Sequence, residues 1–361
     1  MFVHSQIKLN IENLKLFFRK FSETGLKEKL AKIFPDYHIV FTDSGRSAFQ
    51  LAVQSLNLEN SEMLVPAYLC DIFLPIFKHC HIKPIYLDID LKTFLANVSE
   101  IEKKITPQTK SILICHTYGL PIEMDKILEI AKKYNLKIIE DCAHLHLFGL
   151  PRAESRGDCL FFSFAKLFPT IDGGVLVSKN PIGFKLENYK FKLSNLIRFA
   201  RLFPSLANLS EVFRKEEKTL TTNEFTLPRK ASKISLKIFD FYLKNLEESI
   251  RKRIKLAEYF QKKLIEIGFE VQESKNNTFT YLSALVPKNL DRDESFNKLK
   301  KKHIFCSRIW HKPIYLSRLP ADPILPNTTE AAKRIINFPL QNWFTEKDID
   351  KIIAGILSKK D

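Results

Sequence analysis

Short apolar runs alternate with helical stretches between about residues 38 and 180, and this rhythm restricts the chain to few architectures. The runs are rich in β-branched and aromatic residues: HIVFTD, MLVPAY, PIYLDID, SILICHTY, LKIIEDCA, CLFFSF and GVLVSK. Between them lie RSAFQLAVQSL, DIFLPIFKHC and EMDKILEIAKKYN, the last with apolar residues at helical spacing. The alternation predicts an α/β domain whose largely parallel sheet carries helices on both faces.

The rest of the chain predicts a connector and a smaller domain. Residues 235–268 have the length of one long connecting helix. After it we predict, in order, a strand, a helix, an irregular stretch with prolines and a closing helix, at residues 278–286, 293–302, 310–326 and 345–358. We therefore place a large domain in residues 1–245 and a small C-terminal α/β domain in residues 246–361.

Composition narrows the functional classes. Six cysteines without a C-x-x-C pair predict neither a disulfide framework nor a metal site, and they favour a reducing cytoplasm. The first eight residues resemble no signal or transit peptide, and no apolar run reaches the roughly 18 residues of a membrane span. The net charge of +16 favours anionic ligands. Nucleic acid is not expected, because no helix-turn-helix, zinc or RNA-binding signature accompanies the charge.

The turn between the first predicted strand and helix has the composition of a phosphate site. It reads Thr-Asp-Ser-Gly-Arg-Ser-Ala and contains Ser44, Gly45 and Arg46. Backbone N–H groups and the dipole at a helix N-terminus favour a phosphate, and glycine permits close approach. Ser-Gly before a helix is also typical of an ordinary N-cap, so this motif alone leaves both interpretations open.

Two further motifs centre on Asp141 and Lys166. Asp141 ends an apolar strand, where a carboxylate can hold a pyridine nitrogen protonated or simply cap a helix. His144, three residues on, can contact the hydroxyl or the face of such a ring. Lys166 lies in FFSFAKLFPTIDGG. A desolvated lysine near cationic groups has a lowered pKa and can form an imine, although most isolated lysines lie on the surface.

In this order, the motifs SGRSA, VPAYLC, KPIYLDID, CHTYGLPIEMDKILEIA, IIEDCAH and GDCLFFSFAK with IDGG resemble the nucleotide-sugar aminotransferases of the DegT/StrS family, which depend on pyridoxal 5'-phosphate (PLP). RIINFPLQNWFTEKDIDKIIAGI is similar to that family's C-terminal signature. The resemblance implies the aspartate-aminotransferase fold, fold type I, with a large mostly parallel sheet domain and a small C-terminal α/β domain. It also implies a homodimer with active sites at the subunit interface.

Carried over residue by residue, the resemblance implies a PLP site with two catalytic residues. Lys166 is the Schiff-base lysine, and Asp141 is the partner of the ring nitrogen. His144 stands where the family usually has a Gln that contacts the ring hydroxyl. The other implied cofactor contacts are Ser44, Gly45, Arg46, Cys70 and Ser163. The implied reaction moves an amino group from an amino acid such as glutamate to a keto group of an anionic acceptor, a nucleotide-linked sugar.

Three departures from the family pattern concern the same site. The loop before Lys166 is two residues shorter than is often found in the family, and Cys70 stands where an aromatic residue often stacks on the ring. Tyr68 or His144 is therefore expected to cover that ring. The family's Asn-Tyr-Arg motif is not recognisable, and residues 228–232 stand roughly in its place.

Other functions remain open at this level. Lyase, desulfurase and acyl-transfer chemistry occur on PLP folds, whereas the family's dehydratase branch replaces the lysine by histidine, which Lys166 opposes. Residues 180–230 are basic and rich in Phe and Leu, which fits a lid, a dimer contact or a segment that contacts a membrane surface. In the dimer interpretation, the contact buries the apolar side chains of Phe184, Phe191, Ile197, Phe199, Leu202 and Phe203. It places Arg198, Arg201 or Arg229 near an incoming anionic substrate.

Overall fold

The computed structural model describes residues 18–147, 150, 156–191, 225–244, 246–314, 325–341 and 343–358. Within them the strands are β1 His38–Thr42, β2 Glu62–Pro66, β3 Lys83–Leu87, β4 Thr109–Cys115, β5 Lys137–Asp141, β6 Cys159–Ser163, β7 Gly174–Ser178, β8 Glu270–Val271, β9 Leu282–Leu285 and β10 Ile335–Phe338. The helices are α1 Glu23–Ala31, α2 Gly45–Ser55, α3 Leu74–His79, α4 Asp125–Tyr134, α5 Phe164–Leu167, α6 Lys233–Leu243, α7 Leu246–Glu266, α8 Arg292–Lys301, α9 Pro326–Arg334 and α10 Glu346–Leu357. None of these helices is both long enough and apolar enough to cross a membrane.

The large sheet is mostly parallel, which confirms the predicted fold class. In the described part of the chain its seven strands lie in the order β1-β7-β6-β5-β4-β2-β3. β2 to β6 pair in parallel, whereas β7 runs antiparallel to both β6 and β1. The connection from β6 to β7, residues 164–173, is too short for a parallel crossover, so the chain returns beside itself. This short return carries Lys166.

Alternating side chains of the central strands pack on opposite faces of the sheet. Leu160 and Phe162 of β6 pack with α1 and α6 on one face. Cys159 and Phe161 pack with α2 on the other face. Because successive residues of a strand point to opposite sides, a continuous apolar run such as CLFFSF indicates a strand covered on both faces.

The prediction of one connecting helix over residues 235–268 is wrong. The structure has two helices there: α6 ends at Leu243, and α7 begins at Leu246. The core against the large sheet includes Leu236 and Phe239 of α6 and also Leu246 and Ile250 at the start of α7. The later turns of α7 pack instead with α10 and the three-stranded sheet β10-β9-β8. The division between residues 245 and 246 into two domains remains a prediction.

Candidate active site

Three of the predicted residues lie together at the carboxyl edge of the large sheet. Asp141 is the last residue of β5, and His144 follows in a turn; each is 3% exposed. Lys166 lies in α5, the single helical turn between β6 and β7. Its Nζ is 3.2 Å from Nε2 of His144. Since β4, β5 and β6 are parallel and all end at this edge, side chains distant in sequence converge there.

Asp141 is a buried carboxylate with a cation nearby. Burial raises the pKa of the Asp141 carboxyl, while the positive charge of Lys166 and a backbone hydrogen bond from Ala143 act in the opposite direction. That bond runs from the Ala143 N–H to Asp141 Oδ1 over 2.8 Å. A buried carboxylate of this kind can hold a heterocyclic nitrogen in its protonated form.

The expectation of a lowered lysine pKa is wrong for this chain. Burial lowers the pKa of Lys166, but the Asp141 carboxylate, with smaller contributions from Tyr281 and two cysteines, raises it above its usual value. The expectation assumed cationic neighbours, whereas the structure places an anion beside the amine. Lys166 therefore balances the charge of Asp141, and its ammonium has to lose a proton before the amine can attack an aldehyde.

The residues predicted to hold a phosphate meet where β1 turns into α2. Ser44 is the N-cap of α2, and its Oγ accepts a hydrogen bond of 3.3 Å from the Ser47 N–H. A Cβ on Gly45 would lie 3.2 Å from Cβ of Ser163, and a Cβ on Gly174 would lie 2.7 Å from the carbonyl carbon of Ser44. Glycine at both positions thus brings the turn after β1 against the end of β6.

The sequence reasoning assigned no role to two carboxylates at this turn, those of Asp43 and Asp172. Asp43 Oδ1 accepts hydrogen bonds from Ser47 Oγ over 2.6 Å and from Ser44 Oγ over 3.2 Å. Burial raises the pKa of Asp43, and the nearby Asp172 contributes in the same direction. Arg46, half-buried in the first turn of α2, is the predicted cation of the turn. The turn after β1 therefore contains the hydroxyls of Ser44 and Ser47 and, in contact with them, the carboxylate of Asp43.

Cys70 and Tyr68, two further residues discussed for the cofactor ring, have different surroundings. Cys70 is half-buried, and the charge of Lys166 influences its pKa, which burial raises. Tyr68 is fully buried; its hydroxyl lies 2.9 Å from that of Tyr118 and 3.3 Å from the carbonyl oxygen of Ile309. Of the two residues expected to cover a cofactor ring, His144 is the one that faces Lys166.

An aromatic group that sequence reasoning missed surrounds His144. The Trp310 and His144 rings are 4.9 Å apart at 25°, and the Tyr118 and His144 rings are 5.8 Å apart at 15°. Tyr281 meets His144 edge-on at 5.0 Å. Trp310 falls in the stretch predicted as irregular, and it is one of two tryptophans in the chain. The rarity of tryptophan in this chain was the signal that could have drawn attention to Trp310.

His116, Glu140 and Cys142 also lie close together, with potential ligand atoms within 4.8 Å of one another. His116 Nε2 lies 2.9 Å from Glu140 Oε2, and the other Glu140 oxygen accepts from the Gly157 N–H. His116 Nδ1 accepts from the Ile122 N–H over 3.2 Å. The ring nitrogens and carboxylate oxygens bond to one another and to backbone, an arrangement that braces the strand ends behind Asp141.

The region between β7 and α6 is described only in part. Phe184 and Phe191 are 47% and 59% exposed. The apolar and basic residues predicted to share their surface, from 197 to 203, lie outside the described residues. Arg229 Nε lies 3.1 Å from Glu187 Oε2, so an acidic partner within the chain already balances its charge.

Known proteins are similar to this chain in sequence and in fold. The sequence matches the DegT/DnrJ/EryC1/StrS aminotransferase family over residues 22–357. It is 26% identical over 348 residues to dTDP-4-amino-4,6-dideoxy-D-glucose transaminase of Shigella dysenteriae, covering 92% of this chain and 88% of that protein. It is 24% identical over 345 residues to GDP-perosamine synthase of Caulobacter vibrioides, covering 90% and 87%. The structure of NtdA from Bacillus subtilis with its bound cofactor PMP aligns with a TM-score of 0.71 at 21% identity, covering 92% of this chain and 75% of that one.

Proposed function

The chain belongs to the DegT/DnrJ/EryC1/StrS aminotransferase family, and on this premise we propose that it moves an amino group from an amino acid to a keto carbon of a nucleotide-linked sugar. Its cofactor is pyridoxal phosphate. The observation that carries the proposal is the convergence of Lys166, His144 and Asp141, with Lys166 Nζ 3.2 Å from His144 Nε2 at the carboxyl edge of the sheet.

The chemistry of the donor set fits the cofactor. Lys166 offers an amine to an aldehyde, and Asp141 offers a buried carboxylate to a ring nitrogen. Ser44, Gly45 and Ser163 form a turn with hydroxyls and little steric bulk, and Arg46 would add a cation beside a phosphate. These groups come from three separate segments of the chain and meet at one edge of the sheet.

Each residue has a physical task. The bound cofactor supplies an aldehyde carbon and an electron-withdrawing ring. Asp141 keeps its charge next to the ring nitrogen, and burial in a site of low dielectric strengthens that interaction. Lys166, once its amine is free, would accept at Nζ the proton from the α-carbon of the amino acid. His144 lies within hydrogen-bonding distance of that same nitrogen.

The acceptor follows from the relatives and from charge. The two relatives are named for a dTDP-linked sugar and for GDP-perosamine, and both span most of this chain. A nucleotide diphosphate carries negative charge, which suits a chain with a net charge of +16. Glutamate is the proposed amino donor, and the identity of the sugar is the variable to be measured.

A half-reaction screen tests this function. The loaded enzyme is treated with glutamate until the visible absorption of the aldehyde form is lost. Nucleotide-linked 4-keto and 3-keto sugars are then added one at a time. We expect one of them to restore the original spectrum and to yield the aminated sugar by mass spectrometry. Failure of every keto sugar, together with recovery by simple keto acids, would replace the sugar by a smaller acceptor.

The assembly and location are also part of the proposal. We propose a cytoplasmic homodimer in which residues 180–230 contribute to the contact, since Phe184 and Phe191 leave much of their surface exposed in the single chain. Light scattering of the loaded protein should give twice the mass of one chain. A fully active monomer would leave peripheral membrane contact as the next explanation of the segment, which flotation with acidic liposomes would then measure.

A further inference from the structure

Trp310 lies on a turn that crosses from the C-terminal part of the chain to the candidate site. The Ile309 N–H donates to Asn337 Oδ1 over 2.7 Å, which ties the turn to β10. On the other side, the Ile314 N–H donates to the carbonyl oxygen of Leu69 over 2.7 Å. The turn therefore brings one aromatic side chain from the region of the small sheet to the edge of the large one.

The backbone of this turn is strained and firmly held. Trp310 has φ of 60°, a left-handed conformation that a bulky side chain rarely adopts. Such a conformation is unfavourable and persists where the surroundings over-determine it. The hydroxyl of Tyr118 donates to the Ile309 carbonyl oxygen over 2.8 Å, and that of Tyr68 approaches the same oxygen at 3.3 Å. The strain places the indole, which is 8% exposed, alongside His144.

The orientation of the His144 ring decides what its nitrogens can do. Nε2 lies 3.2 Å from Lys166 Nζ, while Nδ1 lies 3.5 Å from the Tyr118 N–H. Both neighbours are donors when Lys166 is protonated, and a neutral imidazole accepts through only one nitrogen. The tautomer decides which nitrogen accepts, whereas a rotation of the ring moves both nitrogens out of line with their neighbours. The indole, stacked at 25° to the imidazole, restricts that rotation.

We propose that Trp310 is a positioning residue for Lys166: by stacking on His144, it holds the imidazole in the plane that presents Nε2 to the lysine amine. The inference rests on the proposed function, because the position of the imidazole matters only where the Lys166 amine reacts.

The groups that face this contact define what a titration will report. The charge of Lys166 is influenced by Asp141, Tyr281, Cys70 and Cys115 in addition to its contact with His144. Tyr118 and Trp310 complete the surroundings of the imidazole. Removal of the indole changes none of these ionisable groups, and Trp310→Phe, which keeps an aromatic face over the imidazole, separates a change in position from a change in solvation.

The first test uses the holoenzyme and does not depend on turnover. The visible band of bound PLP is titrated with pH in the wild type, Trp310→Phe and Trp310→Ala. We expect the midpoint to shift by roughly half a unit or more in Trp310→Ala, and Trp310→Phe to restore most of the wild-type value because it keeps an aromatic face. Trp343→Phe, at a site that is 50% exposed, is the matched control and should leave the midpoint unchanged.

The second test needs no variant in the site and no cofactor. Trp343→Phe leaves Trp310 as the single tryptophan. The stack buries the indole, so the emission of Trp310 should be blue-shifted and should resist quenching by iodide. Emission that iodide quenches readily in folded protein, or an unchanged midpoint in Trp310→Ala, would overturn the inference. A wild type that forms no borohydride-trapped adduct with PLP would instead overturn the proposed function.

Discussion

At one end of the site, the ring end formed by Asp141, His144 and Lys166, the carboxylate and the ammonium balance each other. At the other end, the phosphate end formed by Asp43, Ser44, Gly45 and Ser163, the Asp43 carboxylate accepts hydrogen bonds from the hydroxyls that a phosphate would use. If both ends bind the cofactor as we propose, they do so by different means. The ring end would attract it by charge and by covalent bonding, whereas the phosphate end would bind it through backbone geometry despite a nearby negative charge.

The largest effect is expected at the lysine. Lys166→Ala should abolish the adduct that borohydride traps with PLP, because Lys166 supplies the amine beside His144 and Asp141. Mass spectrometry of the reduced protein measures this directly. Lys137→Ala, at the start of β5 and hence at the opposite edge of the sheet, is the matched control and should keep the adduct. A trapped adduct in folded Lys166→Ala would place the covalent bond elsewhere.

The next effect concerns the partner of the lysine. Asp141→Asn should retain PLP but lose transamination by about 10²-fold or more, since a neutral side chain no longer stabilises the protonated ring. In the cofactor-free protein the same change should lower the pKa of Lys166, because burial then acts without the opposing carboxylate. Acylation of the lysine should accordingly begin at lower pH. Near-normal turnover would assign the ring nitrogen to another group.

Motif order pointed to residues that lie together at the ring end, because the sheet itself brings them together; their roles toward the cofactor stay predictions. Asp141 and Lys166 are separated in sequence, but each lies at the end of a strand of one parallel set, and such strands end at a common edge. The direction of the lysine pKa was predicted wrongly, since the sign of the nearest charge depends on side-chain directions within the turn. The separation of α6 from α7 was missed because apolar residues at helical spacing continue on both sides of the break.

The phosphate end and the aromatic group were predicted less completely. Asp43 belongs to the recognised turn, but nothing in the motif reveals that its side chain folds back onto Ser47. Trp310 reaches His144 from a distant part of the chain through an irregular turn with positive φ. Periodicity carries no information on such contacts, because they depend on how two separately packed regions dock.

A second buried histidine, His146, follows two residues after His144 of the ring end. His146 is 3% exposed, and within the described part of the chain neither of its ring nitrogens has a hydrogen-bond partner. Burial, together with the charge of Arg253, lowers its pKa to about 3. The folded protein therefore keeps His146 neutral, whereas the unfolded chain takes up a proton below about pH 6.5. Stability is complete above that pH and falls as the pH drops toward 3.

Chemical denaturation at several pH values measures this effect. Between pH 6.5 and 5 the wild type should lose about 2 kcal/mol of unfolding free energy through this residue. His146→Gln should lose correspondingly less over the same interval. His38→Gln, at an exposed position in β1, is the control and should follow the wild type. Equal pH dependence in wild type and His146→Gln would show that the His146 imidazole is paired in the folded protein.

The smallest expected effect tests the phosphate end. Asp43→Asn keeps an oxygen that can accept from Ser47 Oγ but removes the negative charge beside the proposed phosphate. Repulsion of two charges several ångströms apart at an effective dielectric near 20 to 40 is worth about 1 kcal/mol, so PLP should bind about fivefold more tightly, with a larger gain at low salt. Asp158→Asn, at the amino end of β6, removes the same charge from the opposite edge and should leave the affinity unchanged. Equilibrium binding of PLP to Lys166→Ala protein isolates the non-covalent contribution in both variants. An affinity that Asp43→Asn does not alter would mean that the phosphate lies away from this turn, and the contrast between a charge-balanced end and an anionic end would no longer describe the site.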